Sequence, residues 1–428
     1  MTGSGQQLPQ AASPSHVAVI GAGLVGLSSA LWLQKAGHQV TLIDRHDPLT
    51  LDEWKTAASF GNACTFAPAA VLPVATPGIL GQVPRMLANP DGPLALRWPD
   101  LPALAPWLWQ FLRASTAARV EEITRILAGL MRAAAPAQQA LLNETGSENL
   151  TSRTGLLYMY RSEAAFEAAR RLNDLRARNG VVMRVLSKDE VRAREPNLAP
   201  IYHCAVTFDE SWHFNTPYLY ARALFETYRA RGGVFLRAEA KTLRAQPGGI
   251  RVEAGAASAS YDQVVIACGA WSKPLGRSIG DKVLLDTERG YHVLFPEAVG
   301  KLNGPVCYGD SGFYMTPTAE GLRCAGTVEL GGLDKPARSN RLEVIKRVAP
   351  KQVTEIGPPG REWMGFRPSM PDSLPVIGKS PKDARVIHAY GHGHIGLTLS
   401  AITGKLVAEL ASGLPTSVDL SPLRPDRF

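Results

Sequence analysis

The chain reads as an α/β protein, mixed in character: a Rossmann-like dinucleotide-binding domain interrupted by a second, interleaved domain. Three observations predict this. Residues 16–44 follow the order strand, glycine-rich turn, helix, strand. Residues 66–106 then break that order with nine prolines, where a plain nucleotide domain would continue with more strands and helices. Residues 385–412 return to the first character, so a domain left early is rejoined late.

The elements follow in chain order. Residues 16–20 (HVAVI) form an apolar β run, and GAGLVG follows at 21–26. Gly21 permits the tight turn, Gly23 lets a pyrophosphate approach the backbone, and Gly26 lets the next helix pack close to the sheet. That helix turns its N-terminus to the phosphates. The HQVTLID strand (38–44) ends on Asp44, placed to accept bonds from ribose hydroxyls. Beyond the prolines, helices are predicted near 104–116 and 119–145, a strand over 154–160 and a helix over 162–179. SKDE at 187–190 is a capping box. The 215–233 helix opens on Thr216 and Pro217 and is closed by glycines. VFLRAEA and the hairpin KTLRAQPGGIRVEA follow, then a buried strand running into a glycine turn, YDQVVIACGAWS (261–272). Strand patterns dominate 283–328. The expected division is a flexible leader over 1–15, a discontinuous nucleotide domain over 16–85, 190–280 and 360–428, and a substrate domain over 86–189 and 281–359.

Composition narrows the class. The chain has 428 residues, of which 45% are hydrophobic and 20% charged, which is ordinary globular composition. Five scattered cysteines without CxxC spacing indicate neither a zinc site nor a disulfide framework, and fit a reducing, cytoplasmic setting. Residues 1–15 lack the charged and apolar regions of a signal peptide, and no apolar run reaches membrane-spanning length. The net charge of +8 is spread out, as in EAARRLNDLRARNG (167–180). It is compatible with contact at the inner face of an anionic membrane. No dense basic patch interleaved with aromatics points to nucleic acid.

Four segments together carry a family resemblance: VAVIGAGLVG…TLID, ASFGNACTFAP (57–68), DQVVIACGAWS (262–272), and GFRPSMPDSLPVIGKS…GHGHIGLTLSAITGKLVAEL (365–410). The chain resembles the D-amino-acid dehydrogenase/oxidase family of FAD enzymes, above all its bacterial dehydrogenase type, related to glycine and sarcosine oxidases. That resemblance implies a split FAD-binding domain and a substrate domain built on an antiparallel sheet. It implies cofactor contacts at Gly21, Gly23, Leu24, Val25 and Gly26 in the first turn, and at Asp44 and Arg45. Ser59, Asn62 and Ala63 would run beside the isoalloxazine, and the backbone of Ala240 would meet adenine. Ala267, Gly269 and Trp271 follow in the second glycine turn. Gly391, Gly393, His394, Ile395, Gly396, Leu397 and Thr398 would bring backbone amides and a helix N-terminus to the flavin pyrimidine edge, where negative charge develops on reduction. His392 and His394 could add hydrogen bonds; as metal ligands they fail for want of a third, so no metal is expected. Late in the motif, sarcosine-type oxidases carry a flavin-linking cysteine; GFRPSMPD has none, so non-covalent FAD is expected.

The same resemblance gives Arg367 the substrate carboxylate, a task suited to a planar guanidinium fork. A structural ion pair with Asp372 is the competing reading. TERGYHVLF (287–295) aligns with a pocket-lining strand. Tyr291 and His292 alternate there, so one of them faces a given side. Tyr291 is favoured for substrate contact, His292 comes next and Tyr314 is weaker. The chain departs from the family in showing GHGHIGLT for GHGTLGWT, and RGYH for a lysine-glycine-tyrosine-serine run, so the accepted side chain is left open.

The expected chemistry is FAD-dependent oxidation of a D-amino or imino acid by hydride transfer to flavin N5, giving an imine and then a keto acid. No side-chain base is required if the amine enters neutral. Alternatives are a D-proline, D-hydroxyproline or N-methyl substrate, a sarcosine/glycine-oxidase-like enzyme, and a tRNA-modifying flavoprotein. Oxygen, quinone or another carrier would accept the electrons. An electron-passing subunit would be expected to lack the arginine that Arg367 supplies.

Overall fold

The computed structural model describes residues 9–11, 13–78, 94–96 and 101–428. Most of the expected leader and the expected boundary at 85/86 lie outside them. Two large sheets organise the chain. The first has six strands in the spatial order Val234–Arg237, Gln39–Asp44, His16–Ile20, Gln263–Ile266, Val386–Tyr390 and Val376–Lys379. The first five run parallel and the last antiparallel. Parallel strands are covered on both faces, which is why HVAVI is apolar without alternation.

The Leu24–Lys35 helix explains its own composition. It is buried along nearly its whole length, packed between this sheet and the Gly396–Ala411 helix. A side chain at Gly404 would come within 2.6 Å of the Ser28 backbone, so the two helices touch main chain to main chain. The last helix thereby completes the layer that the first one begins.

The second sheet has nine strands. From one edge they run Glu362–Ser369, Asp286–Phe295, Gly321–Leu330, Phe313–Thr318, Val306–Tyr308, Leu156–Tyr160, Cys204–Phe208 and Arg184–Leu186, with Leu94–Leu96 paired to Gly321–Leu330. Most neighbours are antiparallel. The expected cut points at 190 and 360 do not follow the sheets. Cys204–Phe208 and Glu362–Ser369 belong to the second sheet although they lie in segments assigned to the nucleotide domain. Cross-strand pairing over long separations decides their membership, and local composition does not record it.

The local signals at 187–190 and 215–233 are realised. Ser187 and Glu190 form both halves of a capping box. Pro217 stands at the first position of the Pro217–Ala230 helix. All five cysteines are free. Among the described residues no helix is long and apolar enough to cross a membrane.

Candidate active site

A cavity of about 770 Å³ runs between the two sheets. It is lined by Gly21–Val25, Asp44 and Arg45 at the strand ends of the six-stranded sheet, and by Glu288, Tyr314, Thr327 and Arg367 on the large sheet. Its size suits a large organic ligand with a few fixed polar partners.

The wall formed by the first glycine turn is shaped by three glycines in three ways. Gly21 has φ +108°, and a Cβ there would meet the Ala267 carbonyl oxygen at 2.5 Å. At Gly26 a Cβ would lie 1.8 Å from the Gly21 carbonyl oxygen, so this glycine serves packing and does not line the cavity. Gly23 differs: nothing lies within 4 Å of a Cβ built there, and it borders the cavity at the N-terminus of the Leu24–Lys35 helix. Asp44 accepts from the Ala22 amide at 2.6 Å and from the His46 amide at 2.9 Å, which fixes its carboxylate beside the turn. Arg45 lies over the Trp271 ring at 4.8 Å and near Glu239 at 3.6 Å. Ala240, Ala267, Gly269 and Trp271 line the same region.

The 57–63 loop forms one wall, and the large sheet pins it there. Arg323 donates to the Phe60 carbonyl at 2.8 Å, Thr316 to the Ala63 carbonyl at 2.8 Å, and His292 Nδ1 to the Gly61 carbonyl at 3.1 Å. Ser59, Asn62 and Ala63 line the cavity, and Asn62 caps the Cys64 amide at 2.8 Å. Trp363 lies where side chains on Gly61 and Gly365 would otherwise project, and its indole donates to the Lys55 carbonyl at 2.7 Å.

Tyr291 and His292 are not where the sequence places them. Tyr291 faces the opposite side of the sheet, packed with Val293 and Phe295, and its hydroxyl binds Glu329. Parity explains this: Glu288 and Gly290 line the cavity, so Tyr291 must point away. His292 shares the cavity face but is fully buried beneath Trp363, ring centroids 5.4 Å apart. Burial and the Arg323 charge push its pKa down to about 3, so it is a neutral positioning group for the 57–63 loop. Tyr314 does line the cavity.

Arg367 is the cation that the large sheet presents to the cavity. It reaches over Gly290, where a Cβ would lie 2.4 Å from its guanidinium carbon, and donates to the Thr327 carbonyl at 2.9 Å. Opposite Gly290 the register slips: Tyr291 pairs with Gly326 and Arg289 with Glu329, leaving Thr327 and Val328 against one residue. This is a β-bulge, and Thr327 sits in it at φ +54°, a strained conformation for a β-branched residue. The bulge turns the Thr327 carbonyl to Arg367, and its buried hydroxyl, without a partner among the described residues, borders the cavity. Asp372 is not the partner of Arg367; it is held by Arg427 at 2.8 and 3.0 Å.

The last glycine turn closes the site. Gly393, His394, Ile395, Gly396, Leu397 and Thr398 line the cavity, with the Gly396–Ala411 helix beginning there. Its first-turn N–H groups have no acceptor within the helix. Gly391 does not line the cavity; at φ +84° it makes the turn against Met370. His394 is packed by protein yet open to the cavity, and burial with the Arg367 charge pushes its pKa down to about 4. His392 shares a hydrogen bond with Thr403 at 2.9 Å, and burial lowers it to about 4 as well.

These values have a stability consequence. An imidazole with a depressed folded pKa leaves stability intact above its unfolded value and withdraws it as pH falls from about 6.5 toward 4. For His392 the full effect is at most about 3 kcal/mol. His392→Gln is expected to flatten the decline of Tm across that window, measured by thermal melts at half-unit pH steps. Superimposable profiles would refute it.

Sequence reasoning missed Glu288, Thr327 and Trp363. An acid two residues before a glycine in a strand otherwise fit for a core was the available signal for Glu288. Thr327 and Trp363 depend on cross-strand register.

Comparison with known proteins agrees with this architecture. The family described as DAO, FAD dependent oxidoreductase, matches residues 16–410. The chain is 39% identical over 425 residues to a D-amino-acid oxidase of Bradyrhizobium diazoefficiens, covering 96% of this chain and 99% of that one. It is 31% identical over 429 residues to a D-amino acid dehydrogenase of Paramagnetospirillum magneticum, covering 96% and 98%. Glycine oxidase from Geobacillus kaustophilus superposes with a TM-score of 0.74 at 22% identity, over 97% of this chain and 99% of that one.

Proposed function

The chain belongs to the DAO family of FAD-dependent oxidoreductases, and from that premise we propose that it oxidises a D-amino acid or cyclic imino acid whose carboxylate is held by Arg367. One observation carries the substrate reading. A guanidinium lies on the cavity wall, anchored by main-chain carbonyl oxygen, with no carboxylate in ion-pair contact among the described residues. A cation so placed favours an anionic ligand.

The cavity fits FAD by its own features. The open space over Gly23 admits a pyrophosphate, Asp44 offers a fixed acceptor to the ribose, and the N-terminus of the last helix favours the negative charge of a reduced ring. When bound, FAD supplies the acceptor for a hydride from the substrate Cα. The chain's residues do the rest. Arg367 grips the carboxylate bidentately and fixes the orientation of Cα. Thr327 adds a hydroxyl donor on the same side, and Tyr314 borders the space left for a side chain. Neutral His394 adds no charge to compete for the carboxylate. The imine then leaves and hydrolyses to a keto acid, or persists when cyclic.

The names of the two relatives support the D configuration. The test is a panel of D- and L-amino acids, prolines and N-methyl amino acids, scored anaerobically by bleaching of the flavin. D-substrates should bleach it, and acid precipitation of the same sample should release FAD into the supernatant. Bleaching by L-amino acids alone would overturn the stereochemical reading; colour retained in the pellet would overturn non-covalent binding.

A further inference from the structure

We propose that Glu288 is the amine site of the substrate: its carboxylate and the Arg367 guanidinium hold the two poles of one amino acid, and Glu288 takes the proton that the amine must lose before oxidation. The inference rests on the reading of Arg367 given above.

The placement comes from the sheet. Glu288 and Arg367 are direct cross-strand partners, so their side chains leave the same face, and both line the cavity. Glu288 is 7% exposed. The two form no ion pair: Arg367 is drawn aside over Gly290 to the Thr327 carbonyl. A buried carboxylate without a bonded cation is costly, and the cost falls when a cationic group enters beside it. The zwitterion of an amino acid brings such a group, a bond or two from the carboxylate that Arg367 would hold. Burial raises the Glu288 pKa, opposed by the Arg367 charge and the Ser369 hydroxyl and aided by Asp286. A carboxyl so raised is a stronger proton acceptor than an exposed one.

The step balances. An N–H bond of the ammonium breaks, an O–H bond forms on Glu288, and the nitrogen keeps the electron pair. The hydride then leaves Cα for the bound oxidant, and that pair completes the C=N bond of a cationic iminium, the protonated imine, whose hydrolysis follows. The proton passes from Glu288 to solvent when the product departs. Secondary amines fit equally, since one N–H suffices.

The test compares ligands that differ by nitrogen against carbon: D-alanine with isobutyrate, and D-proline with cyclopentanecarboxylate. Anaerobic stopped-flow reduction of the holoenzyme gives the limiting rate and apparent Kd for the amino acids, and calorimetry gives Kd for the acids. In Glu288→Gln the amino acids should bind about 10-fold more weakly and be oxidised roughly 100-fold more slowly, while the acids bind several-fold more tightly. Weakening of both ligand classes together would mean a structural role, and unchanged values would mean no contact; either overturns the proposal. Glu288→Asp covers a Gln variant that does not fold. It should keep the preference for amino acids over acids but lose limiting rate, and a rate like the wild type would overturn the proton role. Isobutyrate binding to Arg367→Met reports on the carboxylate reading alone: undiminished affinity there would overturn that reading and not the assignment of Glu288.

Discussion

Arg367→Met is expected to lower kcat/KM for the best amino acid substrate by roughly 10²–10⁴-fold, the cost of losing a charged, oriented pair in the transition state. Flavin content should stay near that of the wild type, because Arg367 belongs to the large sheet and bonds Thr327, not the Gly21–Val25 turn. Stability should fall by about 1.5–3 kcal/mol, for the charged bond to the Thr327 carbonyl and the loss of the charge that opposes the raised Glu288 carboxyl. Arg367→Lys should recover part of the loss, since a point charge attracts a carboxylate without the fork that orients Cα. Kinetics and Tm measured on one preparation decide the matter. Intact kinetics in a destabilised protein would show that the residue only props up the bulge.

Two neighbouring glycines should fail in opposite ways. Gly26→Ala forces a methyl to within 1.8 Å of the Gly21 carbonyl oxygen. Helix and turn must separate, at a cost of at least about 1–3 kcal/mol, and the turn loses the shape that receives a pyrophosphate. The expected product is poorly soluble, with Tm lowered by several degrees and little bound flavin. In Gly23→Ala the methyl meets no protein atom within 4 Å, so it intrudes only on the ligand. That variant should melt like flavin-free wild type yet bind FAD at least 10-fold more weakly. Absorbance at the flavin band, titrated with added FAD, distinguishes the two. Normal flavin content in Gly23→Ala would mean that the pyrophosphate does not pass there.

What the sequence made legible was local. GAGLVG, Asp44 and the glycine turn before the last helix each state their geometry within a few residues, and they line or shape the cavity as their spacing demands. Arg367 was legible only through a long motif. The failures share one cause. Which face of the Asp286–Phe295 strand looks inward depends on pairing with segments 27–83 residues away. A shift of one residue exchanges Tyr291 for Glu288 and Gly290. His292, named second to Tyr291, shares the cavity face, yet Trp363 covers it from the next strand. Nothing in TERGYH announces that cover.

The pairing of the first helix with the last has a consequence in time. About 370 residues separate Leu24 from Gly396. At the usual pace of synthesis, roughly 5–20 residues per second, the glycine turn waits about 20–75 s for the helix that packs beside its own. Throughout that interval the Ser28–Ser29 stretch of the first helix that meets Gly404 has no native cover from the last. Both walls of the cavity are present only once nearly the entire described chain has emerged. On the proposed reading cofactor capture is therefore a late event, and a chain interrupted before residue 396 would carry the proposed pyrophosphate turn without the helix N-terminus proposed for the flavin.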